Sequence, residues 1–191
     1  MESRFFLSRV NVDIMNGKER SWIFSFCRIA LEISTHSSCC RKQVAALIVK
    51  NYRVVSTGIN GSPSGQLECK DYFSDYCKEH SIDSKIFKTR LNDKNDELYN
   101  LHHNFAERFE IHSEQNAIAE LSKNEINAIG ADIFCTLSPC SNCAKLIVAA
   151  GIKRLFFIEQ YDRDTSGIDL CTNSGLEVYK VDLQNKKIER Y

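Results

Sequence analysis

The sequence predicts an α/β sandwich built around one sheet. Two observations point there: short apolar, β-branched runs alternate with stretches of helical periodicity, and turn residues fall between them. At 191 residues the chain fits one domain with a sizeable core. Residues 21–36 place Trp22, Phe26, Ile29 and Ile33 on one helical face, and Ser37-Ser38 ends that pattern. Residues 44–49 (VAALIV) read as a buried strand. Asn51-Tyr52 makes a turn, and residues 53–59 return as a second strand ending near Gly58, giving a hairpin.

From residue 61 to about 108 the texture changes to dense charge with scattered apolar residues, and Cys69, Cys77, His80, His102 and His103 fall there. So long a loop is unusual inside a compact domain unless something orders it; residues 85–101 are expected to hold a helix. A helix follows from His112 to about Lys123, with Ala117, Ile118 and Leu121 inward. Residues 131–137 form a strand. Pro139 precedes a helix over about 140–150, and Gly151 closes it. Residues 153–159 are a strand, 167–173 a short helix and 176–181 a last strand. Residues 1–20, with Phe5, Phe6 and Leu7, show no secure pattern and are set apart as an N-terminal extension.

Lys plus Arg equal Asp plus Glu at 25 each, so the formal net charge is zero, which argues against a partner such as polymeric nucleic acid. No run is long and apolar enough to span a bilayer, and the N-terminus mixes Arg4, Arg9 and Asp13 among its apolar residues, unlike a secretory leader. Nine cysteines, an odd number that includes a Cys-x-x-Cys pair, suit buried or metal-bound thiols in a reducing, cytoplasmic setting better than a disulfide framework.

The chemistry concentrates in His112-Ser113-Glu114 and Pro139-Cys140-Ser141-Asn142-Cys143. His112, Cys140 and Cys143 offer three zinc ligands, which leaves the fourth position of a tetrahedral ion open to water. Cys140 and Cys143 are one helical turn apart, and the helix N-terminus favours their thiolates. Glu114 lies close by without being required as a ligand, where it can act first as base and then as acid. A structural zinc would instead need a fourth ligand, Cys135 or a further His. His-x-Glu with Pro-Cys-x-x-Cys resembles the signature of zinc nucleobase deaminases.

The segments around these residues narrow the reading. Ser37-Ser38-Cys39-Cys40, VAALIVKNYRVVSTGINGSPSG (44–65), IHSEQNAIAEL (111–121), TLSPCSNCAKLIVAAGIKRLFF (136–157) and EQYD (159–162) together resemble the deoxycytidylate deaminase family, closest to its T-even phage type. The resemblance covers roughly residues 21–181, with about 61–108 as an insertion. It implies a cytidine deaminase-like three-layer α/β/α sandwich with a central mixed five-stranded sheet, conversion of dCMP to dUMP with release of ammonia, and a homo-oligomer, usually a hexamer. It also implies substrate contacts from Asn60 and Tyr161; read alone, Asn60-Gly61 is a turn and Tyr161 an ordinary half-buried tyrosine. Where the family usually has Ala, Gly and Tyr, this chain has Ser113, Ala45 and Ile59.

The phage-type resemblance further implies a second, structural zinc held by Cys39, Cys69, His102 and Glu110. Independently, a charged, core-poor insertion gains order from a metal that ties distant segments together. Cys40, Cys77, His80 and His103 are the rival ligands. Family members respond to dCTP and dTTP, but Glu120 and Lys123 stand where an aromatic and an Arg are expected, so altered or absent control follows. The nearest alternatives are a deaminase of dCTP, of a nucleoside or of single-stranded nucleic acid, and a catalytically silent nucleotide-binding protein of this fold. For a viral chain the location is the host cytoplasm.

Overall fold

A computed structural model describes residues 15–161 and 165–191. Phe5, Phe6, Leu7 and Asp162 therefore lie outside the described residues. The order is α1 (Gly17–Ser34), β1 (Ala45–Lys50), β2 (Arg53–Ile59), α2 (Cys69–Glu79), α3 (Ser84–Asn92), α4 (Glu97–Phe109), α5 (Ser113–Lys123), β3 (Asp132–Leu137), α6 (Ser141–Ala149), β4 (Arg154–Glu159), α7 (Ser166–Asn173), β5 (Glu177–Asp182) and β6 (Lys187–Arg190).

The strands form one mixed sheet in the order β2-β1-β3-β4-β5-β6, with β3, β4 and β5 parallel and the remaining pairs antiparallel. Six strands replace the expected five. The extra one, β6, follows a turn in which Asp182 Oδ1 accepts from Gln184 and Asn185 N at 2.9 and 3.0 Å. Its sequence, Lys-Ile-Glu-Arg, buries only Ile188, so an edge strand is easily read as polar tail.

Alternation along the strands fills two layers. Ala46, Ile48, Ile133, Cys135, Leu155 and Phe157 pack under α5, α6 and α7, whereas Leu47, Val49, Phe134 and Phe156 face α1. On that second face Phe134, Phe156 and Tyr179 stack across three strands with centroids 4.7 and 5.0 Å apart. Covering both faces explains why β1 reads as an unbroken apolar run. The near-parallel stack ends at Arg154, which forks onto Asp132 (2.7 and 2.6 Å) and also reaches Glu19 (2.6 Å), tying β4 to β3 and α1.

The face of α1 turned to the sheet matches the expected one in part: Phe26 is buried and Ile33 packs against the same core, but the face is rotated away from Trp22 and Ile29. Ile23, Phe26, Cys27 and Ala30 are buried, whereas Trp22 and Ile29 are 39% and 40% exposed. The small Cys27 and Ala30 let the helix approach the aromatic stack, and Trp22 lies at the edge against Phe26 and Tyr52. The helix also begins earlier than residue 21, because Asn16 Oδ1 caps it by accepting from Glu19 N at 2.9 Å.

The insertion holds three helices with a core of their own: Cys39, Cys69, Phe73, Leu91, Leu98 and Phe105. The single helix expected over 85–101 is two. Asp93–Asp96 interrupts it, and Asp96 starts α4 by accepting from Leu98 N at 2.8 Å while pairing with Arg90.

Candidate active site and second metal centre

His112 is the N-cap of α5 and Cys140 the N-cap of α6, so two helix N-termini meet where the parallel strands β3 and β4 end. His112 Nδ1 is 3.5 Å from Cys140 Sγ and 3.3 Å from Cys143 Sγ. These three residues form one group of potential metal ligands, with His112 exposed, Cys140 half-buried and Cys143 buried. Three donors open to solvent on one side match a catalytic rather than a closed structural zinc. Cys135 stands outside the group, fully buried, with its thiol pushed well up by that burial. The Cys140 thiol is held down near 4, chiefly because the Cys143 thiol donates to it. A sulfur so readily anionic, beside a second thiol and an imidazole, fits Zn²⁺.

Glu114 is 4% exposed, and burial raises its carboxyl above the usual range. Ser113, fully buried, donates from Oγ to Glu114 Oε2 at 3.0 Å. The Ser that replaces the family's usual Ala thus fixes one carboxylate oxygen.

Two glycines bring the supporting elements into contact, and neither stood out in the sequence. A Cβ at Gly58 would lie 2.2 Å from Ser113 O and 2.4 Å from Ala117 N, so β2 lies directly against the first turns of α5. A Cβ at Gly167 would lie 2.1 Å from Pro139 O and 2.8 Å from Cys140 C, so α7 lies against the loop carrying the cysteines. Asn116 Nδ2 donates to Ile59 O at 3.0 Å and Ser56 Oγ to Ala117 O at 2.6 Å, holding the same β2–α5 contact.

Asn60 braces its surroundings. Its Oδ1 accepts from Ser37 Oγ (2.7 Å) and Val44 N (2.8 Å), and its Nδ2 donates to Lys42 O (3.0 Å). One amide hydrogen is left for a ligand. Tyr161 N donates to Ser138 Oγ at 2.8 Å, placing that residue beside the segment leading to Cys140.

Cys39, Cys69, His102 and Glu110 form a second group of potential ligands, three buried and one half-buried. Cys39 Sγ is 3.4 Å from His102 Nε2. Buried Glu110 Oε1 has no hydrogen-bond partner, an arrangement that is costly unless a cation fills the site. Burial, with the Cys39 charge adding to it, pushes the Glu110 carboxyl up to about 7. Four donors enclosed by protein fit a structural zinc. Of the rivals, Cys40 and Cys77 lie outside this group, His80 stacks on Tyr76 at 4.0 Å, and His103 pairs with Glu107 at 3.4 Å.

An open three-ligand metal centre beside a buried carboxylate, at the end of an α/β/α sheet, defines the site of a zinc hydrolase. The family model for the cytidine and deoxycytidylate deaminase zinc-binding region matches residues 20–159, and the chain belongs to that family. It is 36% identical to the deoxycytidylate deaminase of Enterobacteria phage T4 over 171 residues, 83% of this chain and 89% of that one. It is 30% identical over 169 residues to ComE operon protein 2 of Bacillus subtilis (88% of this chain, 76% of that one). Among solved structures, the dCMP deaminase of cyanophage S-TIM5, in complex with dCMP and dUMP, aligns with a TM-score of 0.63 at 30% identity, covering 87% of this chain and 99% of that one. Among the described residues no helix is long and apolar enough to cross a membrane, and all nine cysteines are free.

Proposed function

We propose that the chain catalyses the zinc-dependent hydrolysis of dCMP to dUMP and ammonia, supplying dUMP for thymidylate synthesis. The observation that carries this reading is the open His112–Cys140–Cys143 group with buried Glu114 beside it. The relatives named deoxycytidylate deaminase support the choice of nucleotide.

His112 Nδ1 and the sulfurs of Cys140 and Cys143 would hold the ion. Zinc, when bound, lowers the pKa of a water toward neutrality. Glu114 takes a proton from the attacking water and delivers it to ring N3, then carries a second proton to the leaving amine. A C–O bond forms at C4, the bond to the exocyclic nitrogen breaks, and ammonia leaves with no change of oxidation state. Burial suits Glu114 to this work, because it raises the carboxyl above its ordinary range and so makes the protonated form easier to reach. Ser113 keeps one oxygen fixed while the other exchanges protons.

In this reading Asn60 offers its remaining amide hydrogen to the substrate and Tyr161 lines the base pocket. A second zinc on Cys39, Cys69, His102 and Glu110 orders the insertion, and the domain spans 21–181. The assembly is a homohexamer in the host cytoplasm. Effector control by dCTP and dTTP is altered or absent: Lys123 Nζ is 2.9 Å from Glu120 Oε2, so these two surface residues of α5 occupy one another. Ultraviolet-monitored turnover of dCMP by zinc-loaded protein tests the reading, with loss of the cytosine band expected and an unchanged band overturning it.

A further inference from the structure

Lys42 and Glu159 form an ion pair with side chains 51% and 56% exposed, joining the segment that holds Asn60 to the segment that leads to Cys140. Both ends are fixed to those segments. Lys42 sits in the segment before β1, where its carbonyl accepts from Asn60 Nδ2 at 3.0 Å. The neighbouring Gln43 donates to Thr35 O and Ser37 O at 3.1 and 2.8 Å. Glu159 ends β4 opposite Leu137, and its carbonyl accepts from Ser138 N at 2.8 Å, two residues before Cys140. The pair therefore bridges the Asn60 loop and the cysteine loop beyond the carboxyl ends of β3 and β4, the position where open α/β sheets receive ligands. Arg41, the adjacent cation, stacks its guanidinium 4.3 Å over the Tyr99 ring, whereas Lys42 extends to Glu159.

An ion pair this exposed contributes little to folding. Among the described residues, the carboxylate that pairs with the Lys42 ammonium is Glu159. A phosphate monoester carries close to two negative charges near pH 7 and offers three acceptor oxygens, so it outcompetes a carboxylate for a lysine. We propose that Lys42 leaves Glu159 to bind the 5′-phosphate of the substrate. Glu159 holds its place in the free protein, and the pair sets the preference for nucleotide over nucleoside. This inference rests on the deaminase reading above.

Lys42→Gln and Glu159→Gln remove one charge each and change few contacts. They are assayed beside the unsubstituted protein, zinc-loaded, on dCMP and on deoxycytidine. Lys42→Gln is expected to raise KM for dCMP about tenfold, the loss of one charge-assisted hydrogen bond. Glu159→Gln removes the competitor and is expected to lower it about threefold. Neither changes kcat/KM for deoxycytidine by more than about twofold. Opposite signs separate this role from a structural one, because a purely structural pair is broken equally from either side. Shifts of the same sign, equal effects on both substrates, or no effect would overturn the proposal. Calorimetric binding of dUMP against deoxyuridine to the same three proteins answers independently of turnover. If the unsubstituted protein leaves dCMP intact, the deaminase reading fails, while a dUMP affinity insensitive to both substitutions overturns the role of Lys42.

Discussion

Gly58→Ala tests whether the approach of β2 to α5 builds the catalytic site. The added methyl would start 2.2 Å from Ser113 O and 2.4 Å from Ala117 N, both backbone atoms that no rotamer change can clear. Ordinary contact requires more than 3 Å, so the first turns of α5 must retreat by about 1 Å. That movement strains the bonds from Asn116 Nδ2 to Ile59 O and from Ser56 Oγ to Ala117 O. Overpacking of this kind costs about 1–3 kcal/mol. For a domain of this size a cost of about 2 kcal/mol lowers Tm by about 4–8 °C. The retreating turns carry Glu114 and follow directly on His112. A misplacement of about 1 Å at reacting groups can lower kcat about 100-fold. Thermal unfolding, metal content and dCMP turnover of the variant are measured together. A Gly58→Ala protein that melts within about 1 °C of the parent and retains its kcat would refute the argument.

Glu114→Gln keeps the shape and removes the proton carrier; kcat should fall by about 100- to 10,000-fold with zinc still bound, as read by metal analysis beside steady-state rates. Ser113→Ala, the residue usual in the family, should fold normally and lower kcat about tenfold with KM unchanged, since only the hold on Glu114 is lost. If Cys39, Cys69, His102 and Glu110 hold the proposed second zinc, Cys69→Ser should reduce the metal content from two zincs per chain to one and lower the melting temperature, because the insertion would lose the ion that ties its segments together.

The clustering of the candidate metal ligands His112, Cys140 and Cys143 was legible because their residue types are unusual and their spacing is local: a turn separates Cys140 from Cys143, and Glu114 is two residues from His112. The buried strands were legible because both faces of the sheet are covered. The face of α1 was legible only in part, through Phe26 and Ile33. Trp22, Phe26, Ile29 and Ile33 make an apolar stripe as good as the buried one, and only the need for small residues against the Phe134–Phe156 stack decides between them. The insertion looked like loop because its helices are polar outside and short, yet Asp83 and Asp96 cap α3 and α4 through side-chain oxygens at 2.8 Å. Gly58 and Gly167 could not be singled out, since close approach between elements distant in sequence leaves no local pattern. Asn60 carried two readings, turn and ligand, and the structure adds a third: a brace joining the segments around Ser37, Lys42 and Val44.

The most direct test of the account is zinc-loaded protein incubated with dCMP, dCTP and deoxycytidine in parallel and followed by ultraviolet absorbance. With dCMP the cytosine band is expected to disappear rapidly, with dUMP and ammonia formed in equal amounts, and the other two are expected to change far more slowly. Turnover of dCTP or deoxycytidine in preference to dCMP, or of none of the three, would contradict it.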